Sequence, residues 1–128
     1  MNEQRPLWAW LFLPQLALVV VASVLADTGR FPVAWFQRGS LDKVGHFVFY
    51  GGLSFFGVAF FSRARRLVFV VCLLVAATLE EVSQRAFSTR TFDLGDLAMN
   101  VAGIWIFAAA AIACLAARVG SHPHRHPR

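Results

Sequence analysis

Long apolar runs along the chain are separated by short polar breaks. Three runs, at 7–26, 44–61 and 97–117, each come close to the roughly 20 residues an α-helix needs to cross a hydrocarbon layer of about 30 Å. A fourth, at 67–79, gives only about 20 Å of helix before Glu80. It reaches the far interface only if the helix continues through Glu80 and Glu81. The pattern predicts an all-α membrane protein, an antiparallel bundle of four transmembrane helices at about 7–26, 43–61, 67–87 and 96–117, in one domain over 1–118. Pro14, inside the first run, is expected to kink its helix. The last stretch, 119–128, changes to His, Pro and Arg and reads as a disordered basic tail.

Composition sharpens this picture. Hydrophobic residues make up 58% of the 128, and the mean hydropathy is +0.60, far above a soluble domain. If the helices alternate, Arg5, Arg63, Arg65, Arg66, Arg118, Arg125 and Arg128 share one face of the membrane with a single acid, Glu3. The opposite face collects Arg30, Arg38, Lys43, Arg85 and Arg90 together with Asp27, Asp42, Glu80, Glu81, Asp93 and Asp96. The first face is then cytoplasmic, so both termini are expected inside a cell membrane crossed several times. The pI of about 10.6 reads as a topology signal and contact with anionic lipid, not as nucleic-acid binding, which needs a soluble basic face.

The first run has a rival reading as a cleavable signal peptide, with Arg5 before it and SVLA before Asp27. At about 20 residues it exceeds the usual 7 to 15 of such a segment, which favours a retained helix. Cys72 and Cys114 both fall in apolar runs toward the reducing side and read as small hydrophobes. His122, His124 and His126 of the tail suit a solvated basic end near anionic lipid better than a metal site. Trp8, Trp10, Trp35 and Phe36 fit interfacial belts.

Polar residues inside the runs carry the candidate chemistry. Asp42, His46 and Tyr50 follow one another at i, i+4 steps and so share one face of the second helix. Asp96, Asn100 and Gly103 make a similar stripe on the fourth. Counting rise from the outer interface puts His46 about 3 Å deep, Asn100 about 5 Å, and Tyr50 and Glu81 about 9 Å. Gln84 follows Glu81 by one turn, and Arg90 and Asp93 lie in the loop beyond. Three helices thus bring these groups to one leaflet. A charge facing acyl chains costs about 2.5 kcal/mol or more, so they are expected to face inward and meet. Glu80, turned 100° from Glu81, is expected to pair locally with Gln84. Gly45, Gly52 and Gly103 read as points of close helix approach. The plainest alternative for the polar set is helix–helix hydrogen bonding, worth on average about 0.6 kcal/mol per bond in a membrane. That is a small return for so many ionisable groups.

The stretches DKVGHFVFYGGL, EEVSQRAF and STRTFDLGDLAMNVAG together resemble the VanZ-like family of small integral membrane proteins. Its motifs run D-K-x-x-H-x-x-x-Y, then E-x-x-Q, then R-x-x-D-x-x-D-x-x-x-N-x-x-G. The resemblance covers 42–103 in order and assigns the motif Glu to Glu81. It carries over Asp42, Lys43, His46, Tyr50, Gln84, Arg90, Asp93, Asp96, Asn100 and Gly103. The segment RAFST lacks the Pro-Gly turn often seen before the motif Arg. The resemblance implies a role in the cell envelope, the named member being linked to lowered susceptibility to the glycopeptide teicoplanin.

The expectation is therefore a membrane protein with an outward-facing polar pocket for an envelope lipid, a glycan precursor or a glycopeptide-type ligand. The ligand set is Asp42, Lys43, His46, Tyr50, Glu81, Gln84, Arg90, Asp93, Asp96 and Asn100. Arg90 can satisfy a carboxylate or hold an anionic ligand group. The alternative is a membrane enzyme using His46 with Glu81 or Asp96 as an acid–base pair on a lipid-linked substrate. No nucleophile motif accompanies it. One imidazole stands where catalytic zinc has two or three, so neither a metal nor another cofactor is expected. Transport fits least, because the cytoplasmic halves of the helices offer only Thr78, Cys72 and Cys114 as polar atoms.

Overall fold

The computed structural model describes residues 5–28, 40–87 and 93–120. Trp35, Phe36, Arg90 and the tail from 121 lie outside them. The described residues form four α-helices and a short 3-10 helix, with no strand. The 3-10 helix, Leu7–Leu11, leads directly into α1, Phe12–Asp27. Then come α2, Ser40–Phe60, α3, Arg63–Phe87, and α4, Leu94–Gly120.

Three helices begin earlier than the apolar runs suggest, because polar residues prolong them. Ser40–Lys43 opens α2, and Arg63–Arg66 opens α3. The helix α3 does continue through Glu80 and Glu81 to Phe87. At the start of α4, Asp93 acts as a cap: its Oδ1 accepts from the Gly95 N–H at 2.6 Å, and its carbonyl accepts from Asp96 N–H and Leu97 N–H. The expected kink at Pro14 falls where the 3-10 helix gives way to α1. The α-helix starts only at Phe12, so Pro14 stands in its first turn, where a missing N–H breaks no bond.

Side-chain contacts fix the directions. Lys43 meets Asp96, His46 meets Asn100 and Ser54 Oγ donates to the Ile104 carbonyl at 2.8 Å, so α2 and α4 run parallel. Tyr50 meets Glu80, whereas Arg66 Nε donates to the Val58 carbonyl at 2.9 Å, so α3 runs against α2. Trp8 stacks on Phe55 while Gln15 donates to the Phe49 carbonyl, so α1 also runs against α2. The packing of α2 on α4 is the most extensive in the molecule. Gly103 permits it: a Cβ there would overlap the Phe47 carbonyl oxygen. Gly51 leaves room for the Phe107 ring and Gly57 for the Phe69 ring. Gly52 lies against the Gln15 amide, but Gly45 has nothing within 4 Å and is not a packing contact.

The two ends of the bundle differ in kind. At one end Phe12, Phe60, Phe61 and Phe69 pack ring against ring, with Trp10 edge-on to Phe60 and the Arg5 guanidinium 4.6 Å from the Phe60 ring centre. The core continues through Leu53, Val58, Val70, Leu73, Ala77, Ile104, Ala108 and Ala111. At the other end the interior is polar. Among the described residues, two stretches are long and apolar enough to cross a membrane, Leu7–Leu25 and Leu94–Gly120. Large apolar side chains lie outward along the bundle, among them Leu18, Val21, Val24, Val68, Val75, Leu79, Trp105 and Ile112.

Candidate functional site

The polar end is built from the second halves of α1 and α3 and the first halves of α2 and α4. Spacing by four along α2 turns Asp42, His46 and Tyr50 inward together, and the same spacing turns Asp96 and Asn100 inward along α4. Asp42 and Asp96 each occupy the first turn of their helix, where the macrodipole favours a carboxylate.

His46 is at the centre. Its Nδ1 lies 3.1 Å from Asn100 Oδ1, within hydrogen-bond distance, and 3.8 Å from Glu81 Oε1. Its Nε2 lies 3.8 Å from Asp42 Oδ1 and 3.9 Å from Asp96 Oδ2. Glu81 and Asn100 are fully buried, and Asp96 nearly so. The Asn100 Nδ2 has no hydrogen-bond partner among the described residues.

Lys43 closes the rim. Its Nζ is 2.6 Å from Asp93 Oδ2 and 3.1 Å from Asp96 Oδ1, tying the start of α2 to the start of α4. The ammonium, followed by the Gly95 N–H, holds the Asp93 carboxyl below the usual carboxylate range.

One turn deeper, Glu80 accepts a hydrogen bond from Tyr50 and one from Ser23 Oγ at 2.6 Å. The expected pairing of Glu80 with Gln84 involves a side chain outside the described residues; the bonds described here run to α1 and α2. The 100° between the two glutamates sends Glu80 toward α1 and α2, and Glu81 toward His46. Ser23 of α1 was not among the sequence candidates. Its signal is a lone polar side chain in an apolar helix, as it also is for Gln15 and Ser54.

The structure brings together Asp42, Lys43, His46, Tyr50, Glu81, Asp93, Asp96 and Asn100. Arg90 and the side chain of Gln84 lie outside the described residues. All four helices contribute, and the described side chains carry more carboxylates than cations. Such a set can bind a cation or a polar head group rich in hydrogen-bond donors. It also places an imidazole among carboxylates, the elements of acid–base chemistry.

No curated protein and no solved structure matches the chain. Residues 4–116 match the VanZ/LLP1 family. The match takes in the 3-10 helix, α1 to α3 and most of α4, and with it every polar residue described above. By that match the chain belongs to the VanZ/LLP1 family.

Proposed function

We propose that the protein is an integral membrane protein of the cell envelope, with four spanning helices and both termini in the cytoplasm. Its polar end forms an extracytoplasmic pocket that binds the head group of an envelope lipid, a glycan precursor or a glycopeptide-type ligand. The convergence of polar side chains from all four helices on His46 and Glu80 carries the reading. Ionisable groups that cost this much to bury in a bilayer are kept for a use. The fully buried Asn100 Nδ2 marks a place for a ligand oxygen, since a buried donor otherwise goes unsatisfied.

The apolar exterior supports the membrane assignment. Leu18, Val21, Val68, Val75 and Ile112 are all half-exposed, which suits acyl chains and would aggregate in water. The orientation is supported by α3, which opens with Arg63, Arg65 and Arg66 against its own macrodipole. Arg66 also caps α2 through the Val58 carbonyl, and three cations in that turn suit retention on the cytoplasmic side. The packed aromatic rings at the other end of the bundle favour binding over transport.

The test is a pair of substitutions, Glu81→Ala and Asp96→Ala, in a strain that depends on the protein for resistance to envelope stress or to teicoplanin. Each variant must reach the membrane at the wild-type level. The reading expects both to lose the phenotype. Full activity in either abundant variant defeats it.

A further inference from the structure

An amide oxygen can only accept, so the 3.1 Å contact between His46 Nδ1 and Asn100 Oδ1 calls for the proton on Nδ1, and Asn100 is fully buried. A neutral imidazole has one N–H, so Nε2 presents a lone pair. That lone pair shares a small space with two carboxylate oxygens, Asp42 Oδ1 at 3.8 Å and Asp96 Oδ2 at 3.9 Å. All three atoms lie within 4.8 Å of one another. The other oxygen of Asp96 is taken by Lys43 at 3.1 Å, which leaves Oδ2 for His46.

The two distances from Nε2, 3.8 and 3.9 Å, suit ligands of one ion, since atoms about 2.1 Å from a common centre lie about 3 to 4 Å apart over bond angles of roughly 90° to 140°. The outer arrangement is also that of a metal-bound histidine, whose second nitrogen donates to a fixed acceptor; here Asn100 accepts, with Glu81 Oε1 3.8 Å away.

We infer that Asp42 Oδ1, His46 Nε2 and Asp96 Oδ2 form a binding site for one divalent transition-metal cation, with Asn100 as the residue that positions the imidazole. One nitrogen and two carboxylate oxygens suit Mn2+ or Zn2+. Asp42 is about a quarter exposed and gives the ion its entry from the rim. This proposal departs from the expectation from the sequence that no metal is held. Along the chain the single imidazole looked too few, but folding adds a carboxylate from α4 to the one on α2.

The site is tested on the full chain, purified in detergent micelles, stripped with a chelator and re-equilibrated with Mn2+ or Zn2+ alone. Bound metal is counted by mass spectrometry, and Mn2+ is also followed by electron paramagnetic resonance. The wild type should hold about one ion per chain and unfold at a higher temperature with metal than without. His46→Gln and Asp96→Asn should each weaken uptake at least tenfold, and Asn100→Ala about 10- to 100-fold. Replacing His122, His124 and His126 together by alanine should leave uptake unchanged. The proposal falls if the folded wild type takes up neither ion. It also falls if His46→Gln and Asp96→Asn bind as the wild type does, or if the tail variant loses the ion. The ion count is independent of the envelope phenotype. Uptake without that phenotype would leave the cation site standing and overturn only the head-group reading, and the reverse would overturn only the ion.

Discussion

Two glycines on interacting helices allow a test in which only one contact changes. A Cβ at Gly103 would overlap the backbone carbonyl of Phe47, whereas a Cβ at Gly45 meets nothing within 4 Å. Both residues lie inside helices, so Gly→Ala adds the same helix propensity at each, about 1 kcal/mol. That contribution cancels when the two variants are compared. What remains is the cost of forcing a methyl group against backbone that cannot rotate away, about 1 to 3 kcal/mol for overpacking. Gly45→Ala should therefore be neutral or more stable than the wild type. Gly103→Ala should be less stable than Gly45→Ala by about 1 to 3 kcal/mol. The assay is reversible unfolding in mixed micelles at increasing denaturing detergent. Because His46 adjoins Phe47 and Asn100 lies one turn from Gly103, Gly103→Ala should also weaken whatever the cluster binds. A Gly103→Ala variant as stable as Gly45→Ala would refute the close approach of α2 and α4.

Two further outcomes concern the rim. Lys43→Ala should destabilise the protein more than Asp93→Ala, as read by thermal unfolding in micelles, because only the lysine change leaves the nearly buried Asp96 carboxylate without its ammonium. Asp93 also gives a pH dependence. Its folded pKa is depressed, so its contribution is present above the ordinary carboxylate value, about 4, and is lost as pH falls through the lower folded value. Unfolding temperatures should drop more below about pH 4 in the wild type than in Asp93→Asn.

Apolar run lengths are enough to place the four helices, and i, i+4 spacing is enough to align Asp42 with His46 and Asp96 with Asn100. Those two patterns depend only on local geometry. What they miss depends on a partner. Gly45 and Gly51 look alike in sequence, yet only Gly51 faces a neighbouring ring. Glu80 and Glu81 are adjacent carboxylates whose different roles follow from which helices surround α3. Ser23 carries no motif, and its hydroxyl matters because α1 passes beside Glu80. The role of Pro14 turned on the 3-10 segment before it, which apolar periodicity does not register.

The central claim, that the polar end faces away from the cytoplasm, can be read from two single cysteines at opposite ends of α2. With Cys72 and Cys114 replaced, Asp42→Cys and Ser62→Cys are each exposed in intact cells to a maleimide that cannot cross the membrane. The account predicts that Asp42→Cys labels from outside and that Ser62→Cys labels only after the cells are permeabilised. Labelling in the reverse order, or of both positions from outside, would contradict it.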